Sequence, residues 1–230
     1  GIAYSDGQFD DARLNLLLAL TAERGGTILK TRCKVITLIK SNTDKICGAI
    51  SKDLSGKLCE WKAKVVINAT GNKADSIRQD AGNHISPRML TSRGVHIVLK
   101  ENLCKEGMGL LIPETSDGRV IFALPFYGYT QIGTTDTPCD IEHANVPNKE
   151  EEKYLIHHVM EWFPNIGLPT IKSSWAGGRP LLKPSQENLS SSKVIREHEI
   201  EILPSGLISA MGGKWTTCRS IALDALKGVE

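Results

Sequence analysis

The sequence predicts a mixed α/β chain. A Rossmann-like part opens and closes it (1–84 and 201–230), and a mainly antiparallel part (85–200) lies between. Three observations predict this. Apolar, β-branched runs end in glycine turns near both ends, at 65–71 and 209–213, and open α/β sheets bind ligands at such strand ends. Leu14, Leu17, Leu18 and Ala22 recur at helical spacing after Asp10-Asp11. From about residue 85 the pattern changes to short strands punctuated by Pro113, Pro125 and Pro138.

In chain order, Asp6-Gly7 marks a turn and Asp10 or Asp11 can cap a helix reaching about Arg24, which Gly25-Gly26 stops. Its leucine face is expected to pack on a sheet. Residues 27–39 are rich in β-branched side chains and read as strands. Segments 46–51 and 57–62 read as a hairpin around 53–56, a small antiparallel layer, and 64–68 as a short buried strand. Strands are expected at 94–99, 109–112, 119–124 and 130–134, with Asp117-Gly118 turning the middle pair. Asn148 caps a helix whose apolar side is Tyr154, Leu155, Val159 and Trp162 and which ends at Pro164. Glu150, Glu151 and Glu152 are expected to be a solvated first turn. A strand at 173–176 leads to a loop at Gly177-Gly178-Arg179-Pro180, then a Ser-rich loop at 183–193 expected to be mobile. His198 is read as structural, and 204–206 as a hairpin turn.

The stretch Ser209-Ala-Met-Gly-Gly-Lys-Trp-Thr-Thr217 carries the clearest chemistry. Gly212 and Gly213 allow a tight turn and close approach of a ligand. Ile221, Ala222, Ala225 and Leu226 then recur at helical spacing, so the turn precedes a helix N-terminus, which favours negative charge. A phosphate or the pyrimidine edge of a reduced flavin suits such a site. The same residues also describe an ordinary strand-to-helix turn capped by Thr216 or Thr217.

Further motifs precede it in order: Asp6-Gly-Gln-Phe-Asp-Asp-Ala-Arg-Leu14, Val66-Ile-Asn-Ala-Thr-Gly71, Arg93-Gly-Val-His-Ile-Val98, Thr115-Ser-Asp-Gly-Arg-Val-Ile-Phe122, Gly133-Thr-Thr-Asp-Thr-Pro138 and Gly178-Arg-Pro-Leu181. Together they resemble FAD-dependent glycerol-3-phosphate dehydrogenase over nearly the whole chain. Met108-Gly-Leu-Leu and Gly-Lys-Trp-Thr-Thr look more like its mitochondrial branch.

The resemblance implies a partial FAD-binding domain at 1–84, a substrate-capping domain at 85–200 and a return to the FAD-binding domain at 201–230. It implies FAD contacts at Ala69, Thr70, Gly71, Gly212, Gly213, Lys214, Trp215, Thr216 and Thr217. His96 would be the base, with Arg179 as a substitute; Arg179 and Arg196 would neutralise the substrate phosphate, and Lys214 would bind substrate from between it and the flavin. Arg13 is read as surface or structural, not catalytic. Glycerol 3-phosphate would be oxidised to dihydroxyacetone phosphate, with electrons passing to a quinone. The enzyme would sit peripherally on the inner mitochondrial membrane, with room for a homodimer. The family pattern departs at Asn72-Lys73, where it usually has proline and an aromatic, at Gly178, where it has Ile or Val, and at Ile195, where it has Ser. The family's GxGxxG segment would precede Gly1, so the chain is expected to be a piece of the enzyme, inactive alone. Two alternatives remain: a related flavin oxidoreductase acting on an amine or polyol, or a non-catalytic binding module.

Bulk properties set outer bounds. In 230 residues, 40% hydrophobic and 23% charged, there is material for a real core. A net charge of +2 without a basic run gives no nucleic-acid footprint. No apolar stretch approaches the roughly 18 residues of a membrane span, and no leader pattern is expected. The six scattered cysteines read as reduced. Adjacent His157-His158 point to different sides of a helix, so no metal site is expected.

Overall fold

A computed structural model describes residues 1–82, 84–104, 107–115, 117–183 and 197–229. It contains mixed helix and sheet. The first helix, α1 (Asp11–Arg24), starts where Asp10 accepts a hydrogen bond from the Arg13 amide and stops at Gly25. None of its residues is buried, and Leu16, Leu17, Leu18 and Leu20 are exposed. This corrects the expected packing on a sheet: no sheet of the described residues lies against the leucine row. Its N-terminal end is tied to the antiparallel part, with Tyr127 donating to Asp10 (3.0 Å) and Gln8 to the Pro125 carbonyl (2.9 Å).

Residues 27–30 form no strand: the Thr27 amide turns back to the Ala22 carbonyl, no described strand pairs with the segment, and Ile28 is largely exposed. β1 (Lys34–Lys40), β2 (Ile46–Lys52) and β3 (Leu58–Lys62) form the expected antiparallel layer. β4 (Val66–Asn68) belongs to a second sheet. A 3-10 turn at Gly71–Lys73 follows it and runs into α2 (Ala74–Ala81).

The antiparallel part is one sheet: β5 (Met89–Leu99), β6 (Leu110–Ile112), β7 (Ile121–Phe126), β8 (Tyr129–Gly133), β9 (Thr137–Pro138) and β10 (Ile171–Leu182). Its order is β10-β5-β8-β7-β6, with β9 also pairing β5. α3 (Lys149–Trp162) covers one face and packs Leu155 and Val159 onto Val95, Ile97, Leu99, Ile112, Ile121 and Ile132. Trp162 is exposed rather than apolar packing. Glu151 is also not solvated. It lies one turn before Leu155 on the buried stripe and pairs with Arg93 at 2.7 Å, while Thr135 donates to its other oxygen at 2.8 Å. Burying that carboxylate requires this guanidinium and this hydroxyl.

Gly177 and Gly178 lie inside β10, not in a loop; the strand continues through Arg179 to Leu182, paired to β5 throughout. Most of the Ser-rich segment and Arg196 lie outside the described residues. The chain then returns as β11 (His198–Ile202) and β12 (Leu207–Gly212), joined by the expected turn in which the Gly206 amide donates to the Leu203 carbonyl. β12 pairs with β11 on one side and runs parallel to β4 on the other, with Ser209 beside Asn68. A 3-10 turn at Trp215–Thr217 leads into α4 (Cys218–Lys227). His198 donates from Nε2 to the Asp224 carboxylate at 2.8 Å, a contact between β11 and α4 that suits a structural role.

Candidate active site

Alternation along β5 places Val95, Ile97 and Leu99 in the core and turns Ser92, Gly94 and His96 to the opposite face. β10 presents Trp175, Gly177 and Arg179 on that same face, opposite His96, Gly94 and Ser92 respectively. Thus His96 and Arg179 share one surface, separated along the ladder by the Gly94–Gly177 pair on that face.

Both polar side chains lie flat over glycine backbone. A Cβ on Gly94 would come within 2.7 Å of the Arg179 guanidinium carbon, and one on Gly133 within 2.6 Å of His96 Nε2. These glycines leave room for close approach rather than for an unusual backbone angle. Arg179 donates to the Thr134 hydroxyl at 2.7 Å and has Asp136 at 3.8 Å, while Asp136 is itself held by the Ser92 hydroxyl. The imidazole of His96 stacks on the indole of Trp175, with centroids 5.6 Å apart and planes 9° from parallel. Burial, then the positive charge of Arg179, lower the His96 pKa to about 4 against a smaller upward pull from Asp11. The ring is therefore uncharged near neutrality, with a lone pair available to a hydroxyl proton.

The parallel strands β4 and β12 both end in left-handed glycines on one side of the second sheet. Gly71 has φ 59°, Gly212 φ 70° and Gly213 φ 81°. Buried Asn68 shapes the first turn: its amide donates to the Ala74 carbonyl (3.0 Å) and the Ser209 hydroxyl (3.2 Å), and its oxygen accepts from the Thr70 hydroxyl (2.7 Å). A Cβ on Gly71 would meet nothing within 4 Å, so a planar ring or a phosphate can approach the backbone there. Ala69, Thr70, Lys214, Trp215, Thr216 and Thr217 are exposed beside these turns. Thr217 bonds back to the Lys214 carbonyl. This is an open pair of strand ends with room for a flat ligand, in which the Gly213 and Thr217 amides are already bonded to the Glu197 and Lys214 carbonyls.

β10 connects the two halves of the site. The Leu182 side chain lies against Gly212, and Gly178 lies against Asn72, directly after the Gly71 turn. Asn72 and Gly178, two of the positions at which the sequence departs from the pattern it resembles, therefore touch.

A family model described as FAD dependent oxidoreductase matches residues 1–222. The chain belongs to the FAD-dependent oxidoreductase family. It is 39% identical over 234 aligned residues to the mitochondrial glycerol-3-phosphate dehydrogenase of Mus musculus, covering 98% of this chain and 32% of that protein. The mitochondrial enzyme of Arabidopsis thaliana is 38% identical, with 98% of this chain and 36% of that protein covered. Among solved structures, the glycerol-3-phosphate dehydrogenase of Bacillus halodurans complexed with FAD superposes with a TM-score of 0.81 at 34% identity, over 96% of this chain and 42% of that one. The chain thus spans about a third of the length of the curated relatives it matches.

Ala69 to Gly71 and Gly212 to Thr217 lie at the ends of the paired parallel strands β4 and β12. Among the predicted residues, His96 and Arg179 share the sheet face, Lys214 is exposed at the β12 turn, and Arg196 lies outside the described residues. Sequence reasoning missed Trp175, Thr134, Asp136 and Asn68. The Gly133-Thr-Thr-Asp motif pointed to two of them without showing that they hold Arg179. Among the described residues no helix is long and apolar enough to cross a membrane, and no cluster of His, Cys, Asp or Glu could hold a metal ion.

Proposed function

We propose that this chain forms the substrate-facing sheet and part of the flavin site of an FAD-dependent glycerol-3-phosphate dehydrogenase. The observation that carries this reading is the pairing of a neutral imidazole with a guanidinium on one sheet face, with β10 touching both glycine turns through Gly178 and Leu182. In this reading 85–200 caps the substrate, while 1–84 and 201–230 belong to the FAD-binding part.

FAD, when bound, supplies the hydride acceptor. Gly212 and Gly213 would leave room for its ring, and the amides of Trp215 and Thr216 would offer donors to negative charge there, in a turn whose Thr217 amide already donates to the Lys214 carbonyl. Ala69, Thr70 and Gly71 would border the dinucleotide. Arg179, with Lys214 and Arg196, neutralises the substrate phosphate, and Thr134 and Asp136 hold the guanidinium in place. His96 takes the C2 hydroxyl proton as the C2 hydrogen leaves with its electron pair, so that the C–O bond becomes a ketone. Cations at this face favour a phosphorylated alcohol and repel the ammonium of an amine substrate. Mitochondrial location, peripheral binding to the inner membrane, quinone as acceptor and a homodimer extend the same reading.

The test is an anaerobic visible spectrum of the full-length protein with FAD, before and after adding sn-glycerol 3-phosphate. Bleaching of the bound flavin band with this substrate is expected. A bound band that persists with it but bleaches with another alcohol or an amine would replace the substrate assignment. Absence of any bound flavin would leave a binding module.

A further inference from the structure

We propose that Asn72 is a positioning residue that fixes the distance between Arg179 and the cofactor turn. The inference rests on the function proposed above. Asn72 follows Gly71 directly, so its backbone belongs to the turn that ends β4. Its side-chain amide donates to the Gly178 carbonyl at 2.7 Å, across 106 positions of sequence. That carbonyl belongs to the peptide unit whose nitrogen is Arg179, so the bond acts on the backbone from which the guanidinium springs. The Asn72 oxygen accepts from the Thr91 hydroxyl at 3.3 Å, which ties the same side chain to β5.

Gly178 is fitted to this contact. A Cβ there would lie 2.6 Å from Asn72 Nδ2, 2.7 Å from the Ala144 Cβ and 3.1 Å from Thr91 Cγ2. Gly178 is not among the glycines with positive φ, so its backbone angle does not demand glycine. The close approach of the Asn72 amide and its neighbours does. Its own amide donates to the Asn145 side chain at 3.4 Å, so Gly178 is held on both sides. Between the flavin turn and the Arg179 strand there is therefore a side chain with both polar ends engaged.

The consequence for catalysis is specific. A substrate gripped by Arg179 moves with β10, whereas the flavin is seated on the β4 and β12 turns. Loosening Asn72 leaves the grip intact but lets the reacting carbon drift from the hydride acceptor. Reactivity depends steeply on such distances, about 10²-fold for a displacement of about 1 Å.

The experiment uses the full-length, FAD-loaded enzyme with Asn72→Ala and Asn72→Asp. The aspartate keeps the shape but sets an acceptor against the Gly178 carbonyl. Both variants are expected to lose roughly tenfold or more in kcat, with KM for sn-glycerol 3-phosphate little changed, and Asn72→Ser, which retains a donor, should lie between them and wild type. Hydrogen exchange of amides 176–182 is expected to quicken in both, and this readout needs no substrate. Wild-type kcat and KM per FAD-loaded molecule, even with reduced thermal stability, would reduce Asn72 to packing and overturn the proposal. Unchanged exchange of 176–182 would overturn it too. Should the alanine variant fail to fold, the serine and aspartate variants decide by the same criteria. If wild type does not oxidise the substrate, the function proposed above fails, and the exchange result still decides the clamp.

Discussion

The guanidinium of Arg179 lies over the bare backbone of Gly94, so that a Cβ at Gly94 would sit 2.7 Å from the guanidinium carbon. Gly94→Ala therefore pushes the arginine off its place while leaving its charge. KM for sn-glycerol 3-phosphate should rise by roughly tenfold or more, the scale of one charge-assisted hydrogen bond. Steady-state kinetics of the FAD-loaded full-length enzyme check this; an unchanged KM would remove Arg179 from the phosphate site.

His96 has a working range set by its surroundings. Its folded pKa is about 4 against an ordinary 6.5. Turnover should fall as pH drops through about 4, since the protonated ring cannot accept a proton. The same shift enters stability with a definite sign. Between pH 6.5 and 4 the unfolded chain binds the proton and the folded chain does not. This group's contribution is thus full above pH 6.5 and is lost as pH falls toward 4. His96→Gln should abolish turnover and make the decline in stability between pH 7 and pH 5 shallower in denaturant titrations.

Trp175 holds the imidazole by a parallel stack and is itself partly exposed on the sheet face that carries His96 and Arg179. Trp175→Ala should cost about 0.5–1.5 kcal/mol beyond lost burial and lower kcat more than it alters KM. Trp175→Phe should restore most of the rate. Urea titration and kinetics together separate the two effects.

Arg93 and Glu151 form a buried pair on the other side of β5. Removing one partner strands the other charge in the core, so Glu151→Gln or Arg93→Met should each destabilise by about 3–5 kcal/mol. Replacing both with apolar residues should recover much of that loss. Denaturant midpoints of the single and double variants are the measurement.

Local signals were legible in the sequence. Asp10 and Asn148 mark helix starts by their own side chains, and the strand-to-glycine turns at Gly71 and Gly212-Gly213 announce left-handed backbone. The antiparallel character of the middle segment followed from its turns. What was not legible depends on residues far apart in sequence. Gly177-Gly178 resembles a loop until Asn72 and Ala144 are seen to occupy the space a Cβ would need. Glu151 resembles a solvated acid, although its spacing from Leu155 and Val159 placed it on the buried stripe. The leucines of α1 announce a partner that no described residue supplies. Among the site residues, His96 and Arg179 came from motif resemblance. Their shared face came from the β5–β10 register, which no single segment contains.

The parallel pairing of β4 with β12 also governs the order in which the molecule can form. Asn68 and Ser209 bond across 141 positions of sequence. On a ribosome, β1 to β3 and most of the long antiparallel sheet can be complete while the β4 edge still waits. A contact of such separation closes late and slowly. Until Ser209 emerges, the β4 edge that β12 covers has no β12 to pair with, and an unpaired edge of this kind is a template for pairing with another chain.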